Sequence, residues 1–291
     1  MLTTEQLKTI RKIQIHTGHL VSDFFAGAYH SVFKGRGIEF AEVRPYVSGD
    51  DVRTIDWNVT ARTGSLHVRR YVEERELTVM LVVDASRSTR FGTVRQLKSE
   101  LAAELAALLA FAAIRNNDKV GLVLFTDRVE HSLPPKKGTR HVLRVVRDVL
   151  SHLPRGSATN IAAAMEHLVH VHKRRSVVFV LSDFLDPNGF AALELARQRH
   201  DIIAIVLDDP RDFELPAVGL LRLADPESGR QVLVDTAHPA VRRAFAERAR
   251  AFAEERLRRL RACDIDTVVV RTDRPYAPEL VRFFRTREKR R

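Results

Sequence analysis

The chain has 291 residues, a single cysteine and a formal charge of +11. A chain of this length buries roughly 75% of the surface its unfolded form exposes, so it needs neither disulfides nor a structural metal to fold. Cys263 has no partner for an internal disulfide, which suits a reducing compartment.

The start, MLTTEQLKTIRKIQ, lacks the apolar core of a signal peptide. A first helix is expected from Thr4 to about His16, with Leu7, Ile10 and Ile13 on one face. Residues 18–75 are irregular and rich in glycine, aromatics and charge, and read as short strands and turns packed on a main domain. Asp50, Asp51, Asp56 and Trp57 could form a polar patch there. The plainer account is that the aspartates order turns through their own backbone and Trp57 anchors the small subdomain on the core.

From Glu76 the texture changes. LTVMLVVD is an apolar strand, and TVRQLKSELAAELAALLAFAAIRNND has apolar residues at helical spacing from Val94 to Ala112. Strands KVGLVLFTD and DRVEHSL follow, then helices TRHVLRVVRDVLSHL and NIAAAMEHLVHVHKRR. Next come SVVFVLSD (strand), FAALELARQR (helix), DIIAIVLDD (strand) and a hairpin, VGLLRLADPESGRQVLVDT. An arginine-rich helix, the strand DTVVVRT and a short helix from about Tyr276 close the order.

Strands that are apolar throughout, alternating with helices, predict an α/β fold: a doubly wound, mostly parallel sheet covered on both faces. The expected organisation is a helix-plus-short-strands subdomain over 1–75, an α/β domain over 76–285 and a basic tail over 286–291. The longest greasy segment, 101–114, is too short to span a bilayer and carries Glu104. The expected location is the cytoplasm. Much of the basic surplus lies at 241–261 and in the tail, interleaved with acids. That pattern is typical of solvated helix faces. Nothing resembles an aromatic RNA platform or a zinc finger. Nucleic acid is therefore not the expected partner, while peripheral contact with an anionic membrane stays open.

Ligands of this architecture sit at the carboxyl ends of the strands. The first strand ends in Asp84 and leads into Ser86 and Ser88. Thr159 in GSATN stands before a helix, and a later strand ends at Asp183. Each hydroxyl alone reads as an ordinary helix cap. Together they offer two carboxylates and three hydroxyls, the hard oxygen donors that magnesium prefers, with manganese as the alternative. A divalent cation also turns the repulsion between two close carboxylates into attraction.

Asp84-x-Ser86-x-Ser88, Thr159 and Asp183 resemble the metal-ion-dependent adhesion site of von Willebrand factor type A domains. The resemblance implies that the two serines and the threonine bind magnesium directly or through water. It also implies that the aspartates lie among or just behind the ligands, and that an open position accepts an Asp or Glu of a partner. Arg87 departs from the pattern, which more often has a small residue there. Upstream, GRGIEFAEVRPYVSGDDVRTIDWNVTAR (35–62) and VRRYVEERELTVMLVVDAS closely resemble the bacterial domain-of-unknown-function 58 family. That likeness implies a von Willebrand A-like, Rossmann-like domain acting beside a MoxR-type AAA+ ATPase in assembling or activating other proteins. Many relatives carry two N-terminal membrane helices, which this sequence lacks.

No Gly-x-Ser-x-Gly elbow or P-loop occurs, and His167, His170 and His172 do not share one helix face. The expectation is a non-catalytic, magnesium-dependent protein-binding module. The competing readings are a metal-dependent hydrolase or nuclease, and a basic binder of nucleic acid or anionic membrane.

Overall fold

A computed structural model of the chain describes residues 39–72, 76–227 and 229–290, together with Tyr29 and Val32. The helix expected at Thr4–His16 lies outside the described residues. Strands β1 (Glu39–Pro45) and β2 (His67–Val72) form an antiparallel pair around the short helix α1 (Trp57–Thr63). Asp56 starts α1 by accepting the Asn58 and Val59 N–H groups at 3.0 and 3.2 Å. Gly64, at φ 72°, ends it in a conformation that other residues resist.

The α/β domain then runs β3 (Thr78–Asp84), α2 (Lys98–Arg115), β4 (Lys119–Phe125), β5 (Val129–Lys136), α3 (Thr139–Ser151) and α4 (Ile161–Val171). It continues with β6 (Val177–Ser182), α5 (Gly189–Arg197), β7 (Asp201–Asp208), β8 (Leu220–Ala224) and β9 (Gln231–Asp235). The closing elements are α6 (Pro239–Ala262), β10 (Asp266–Arg271) and α7 (Ala277–Arg290). The central sheet has six strands in the order β10-β7-β6-β3-β4-β5. Only β5 is antiparallel to its neighbour, and β8 and β9 make a separate hairpin.

Alternation along β3 explains the double winding. Val79, Leu81 and Val83 face a core completed by α2, α3 and α7, whereas Met80 and Val82 face one completed by α4, α5 and Leu260 of α6. Both sets are almost wholly buried. Each such side chain contributes about 1.5–3 kcal/mol of burial free energy, which is why the inner strands β3, β4, β6 and β7 are almost wholly apolar.

Three details differ from the sequence reading. The helix expected from Val94 starts at Lys98, and Val94 is exposed. Asp209 holds the Thr93 N–H and hydroxyl at 3.0 and 2.6 Å, and Glu100 accepts the Leu97 N–H at 2.9 Å. These bonds keep 93–97 out of the helix. The stretch read as a basic tail is, as far as Arg290, the last part of α7, and Arg287 is buried against Asp201 and Asp266. Trp57, the expected anchor, is 67% exposed. No helix among the described residues is long and apolar enough to cross a membrane.

Candidate metal centre

From β3 the chain moves to β4 and β5 on one side, then returns to β6 on the other. This places a topological switch point at the carboxyl end of β3, where the crevice of an open α/β sheet forms. Asp84 is the last residue of β3. Its Oδ1 accepts the Ser86 N–H at 2.8 Å, folding the chain back into a 3-10 turn, Arg87–Arg90. The turn buries Ser86, Ser88 and Thr89 and leaves Arg87 exposed. Arg87 therefore points to solvent and does not obstruct the two serines.

The hydroxyls are not used as helix caps. Ser86 makes no side-chain cap bond; its Oγ lies 3.0 Å from the Ser88 Oγ. At the start of α4 the capping acceptor is Asn160, which takes the Ala163 N–H at 3.0 Å. That leaves the Thr159 hydroxyl for other work. Backbone bonds knit the segments together: Ala85 N–H to Phe125 O, Arg87 N–H to Ser157 O and Asn160 N–H to Thr126 O, at 2.8, 3.1 and 2.8 Å. Gly156 is needed in this loop, because a Cβ there would fall 2.0 Å from Asp127 Oδ1 and 2.2 Å from Thr126 Oγ1.

The end of β6 supplies the second acid. Val83 pairs with Leu181 in register, which sets Ser182 beside Asp84. The Ser182 hydroxyl donates to Asp84 Oδ2 at 2.6 Å and accepts the Phe184 N–H at 3.0 Å. Phe184 has φ 52°, a left-handed conformation that costs a bulky side chain energy. Its ring, buried in the core between the sheet and helices α4 and α5, holds it there. The sharp turn keeps Asp183 at the rim, 1% exposed.

Asp183 Oδ2 lies 3.3 Å from Lys98 Nζ, and its backbone carbonyl accepts from Arg256 Nη1 at 2.7 Å. Its Oδ1 is buried and has no hydrogen-bond partner among the described residues. Lys98 also pairs with Asp212 at 2.9 Å, and Arg256 with Asp208 at 2.9 Å. Burial pushes the Asp84 carboxyl up to about 7, and the neighbouring Asp183 charge adds to the rise. Burial works against the Lys98 charge, but Asp183 and Asp212 outweigh it and hold that ammonium above its ordinary value. In this cluster four carboxyl groups, Asp84, Asp183, Asp208 and Asp212, are set against the two cations Lys98 and Arg256. Negative charge is in excess.

Thr159 differs from the rest. Its Oγ1 donates to Glu227 Oε1 at 2.6 Å, and its N–H to Oε2 at 3.3 Å. Glu227 stands at the tip of the β8–β9 hairpin, remote in sequence.

Asp50, Asp51 and Asp56 are occupied structurally. Asp50 binds the Arg44 guanidinium at 2.6 and 2.8 Å, Asp51 caps a 3-10 turn at Arg53 N–H, and Asp56 caps α1 while pairing with Arg69 at 2.8 Å. No group of three or more His, Cys, Asp or Glu side chains suited to a metal occurs among the described residues. Around Asp84 the oxygen-bearing groups are two carboxylates, Asp84 and Asp183, and the hydroxyls of Ser86, Ser88 and Ser182.

Sequence reasoning passed over Ser182, Lys98, Arg256, Asp208, Asp212 and Glu227. The third strand end, IVLDD, did carry a signal of the same kind as the first two. Lys98 and Arg256 carried none, because a lysine or arginine among other charged helix residues reads as solvated.

Comparison with known proteins gives relatives over nearly the whole chain. The uncharacterized protein Rv1480 of Mycobacterium tuberculosis and its counterpart Mb1516 of Mycobacterium bovis are each 34% identical over 285 residues, covering 96% of this chain and 89% of theirs. Among solved structures, the conserved hypothetical protein BatB of Bacteroides thetaiotaomicron is similar at 16% identity and a TM-score of 0.44, covering 73% of this chain and 99% of that one. The SpRpn10 VWA domain is similar at 10% identity and a TM-score of 0.39, covering 71% of this chain and 94% of that one. A family model described as "Protein of unknown function DUF58" matches residues 42–255, and the chain belongs to that family.

Proposed function

We propose that this chain is a non-catalytic, magnesium-dependent protein-binding module. Asp84, Ser86, Ser88 and Thr159 hold the cation, with Asp183 behind them, and a free coordination position receives an acidic side chain of a partner. The observation that carries this reading is the buried Asp183 Oδ1, which has no hydrogen-bond partner among the described residues, next to a wholly buried Asp84 in a cluster short of positive charge. Uncompensated buried carboxylates are costly, and a cation among hard oxygens relieves them. The donors suit magnesium: ligands at 2.0–2.1 Å in an octahedron stand about 2.9 Å apart along an edge, and the two serine hydroxyls, hydrogen-bonded to each other at 3.0 Å, already stand near that spacing. When bound, the ion supplies positive charge and a seat for a carboxylate. Manganese has the same preferences.

The local chemistry favours binding over hydrolysis. Lys98 is locked between two carboxylates and held protonated, so it is no general base. Following the family resemblance, the partner is a MoxR-type AAA+ ATPase or its client in the cytoplasm. Calorimetric titration of magnesium into the wild type and Asp84→Ala tests the site. A heat seen only in the wild type is expected, and equal heats would end the proposal. A pull-down with such an ATPase, with and without EDTA, tests the partner.

A further inference from the structure

The hairpin that carries Glu227 is built to present it. In Asp225-Pro-Glu-Ser-Gly-Arg230, the Asp225 carboxylate accepts the Glu227 N–H at 3.0 Å. The Gly229 N–H closes the turn on Asp225 O at 2.9 Å, and Gly229 has φ 71°. Pro226 fixes its own φ, and Gly229 takes a left-handed φ that glycine adopts without strain. The glutamate side chain therefore extends from a turn ordered by its own backbone. Behind it, β8 and β9 are largely exposed, with Leu220, Val232 and Leu233 each at least 60% accessible. At the tip, both Thr159 donors engage Glu227, one on each carboxylate oxygen.

We propose that Thr159 is a carboxylate seat which Glu227 fills in cis, so that the β8–β9 hairpin covers the site until an acidic turn of a partner displaces it. The inference rests on the magnesium-site reading and adds its regulation and the shape of its ligand. A hydroxyl donor and an N–H donor on one residue clasp a carboxylate at two points, and the present occupant is a glutamate raised on a tight turn. The partner group that replaces it has the same chemistry. A tethered competitor is present at high effective concentration, so an untethered acidic turn binds about tenfold more weakly, or worse, while the tether is seated.

The probe is the heptapeptide ADPESGR, the chain's own residues 224–230, with ADPQSGR as control. Binding is followed through the Thr159 amide resonance, in magnesium, for the full chain and its Glu227→Ala variant. The expected result is about tenfold tighter binding of ADPESGR to Glu227→Ala than to the wild type, with no response to ADPQSGR. Equal affinity for both proteins, or no binding to Glu227→Ala although it still takes up magnesium, overturns the proposal. Hydrogen exchange at Thr159 in EDTA reads the clasp without metal. Faster exchange in Glu227→Ala supports the cover, and unchanged exchange sinks it. A wild type that gives no magnesium heat yet shows the exchange difference refutes the metal reading alone.

Discussion

Replacing Lys98 by methionine keeps the length of the buried stem and deletes its charge. The ammonium sits 3.3 Å from Asp183 and 2.9 Å from Asp212, and the residue is 2% exposed. At an effective dielectric constant near 20, unit charges at those distances attract by about 5 and about 6 kcal/mol. Desolvation of the ammonium takes back several kcal/mol of that sum, and Asp212 is partly exposed, which weakens its share further. Removing one partner of a buried pair costs about 3–5 kcal/mol, because the other charge is left buried alone. Urea unfolding of the wild type and Lys98→Met in EDTA should show a loss of that size. In magnesium the loss should shrink, since a cation at the neighbouring carboxylates takes over part of the compensation. A loss below about 1 kcal/mol in EDTA, where exposed pairs typically fall, would refute the account of Lys98 as the buried counter-charge of Asp183 and Asp212. A loss identical with and without magnesium would refute the idea that Lys98 and the cation share Asp183.

Other consequences follow from single groups. His200 is fully buried, and neither ring nitrogen has a partner among the described residues; burial lowers its pKa to about 4, with the Arg199 charge adding. The unfolded chain thus takes up that proton first, so stability present above about pH 6.5 is lost as pH falls towards 4, by about 3 kcal/mol in all. His200→Leu should flatten the acid limb of the stability–pH curve, and an unchanged slope would dismiss the histidine. Gly156→Ala should destabilise by about 1–3 kcal/mol through overpacking against Thr126 and Asp127. It should also weaken magnesium binding in calorimetry, because the same loop carries Thr159; a variant with native stability and affinity would show that the loop adjusts freely.

The alternation of almost wholly apolar strands with helices determines the doubly wound sheet by itself, because strands buried on both faces have little other composition open to them. Asp84, Ser86, Ser88 and Asp183 were legible for a related reason. Strand ends in a parallel sheet face one rim, so polar residues there are placed by topology alone. The start of α2 was not legible, since the bonds that hold 93–97 out of the helix come from Asp209 and Glu100. Nor was the work of Lys98, Arg256 and Glu227. Periodicity assigns a charged residue on a surface helix or hairpin to solvent, and only packing decides which of them is turned inward. Lys98 and Arg256 were drawn in by the unpaired carboxylates of the rim. Glu227 met Thr159 because the hairpin folds back across 68 residues of sequence. The sequence by itself determined which oxygens stand at the rim; the tertiary structure decided which charges answer them, because long-range charge pairing leaves no local pattern to read.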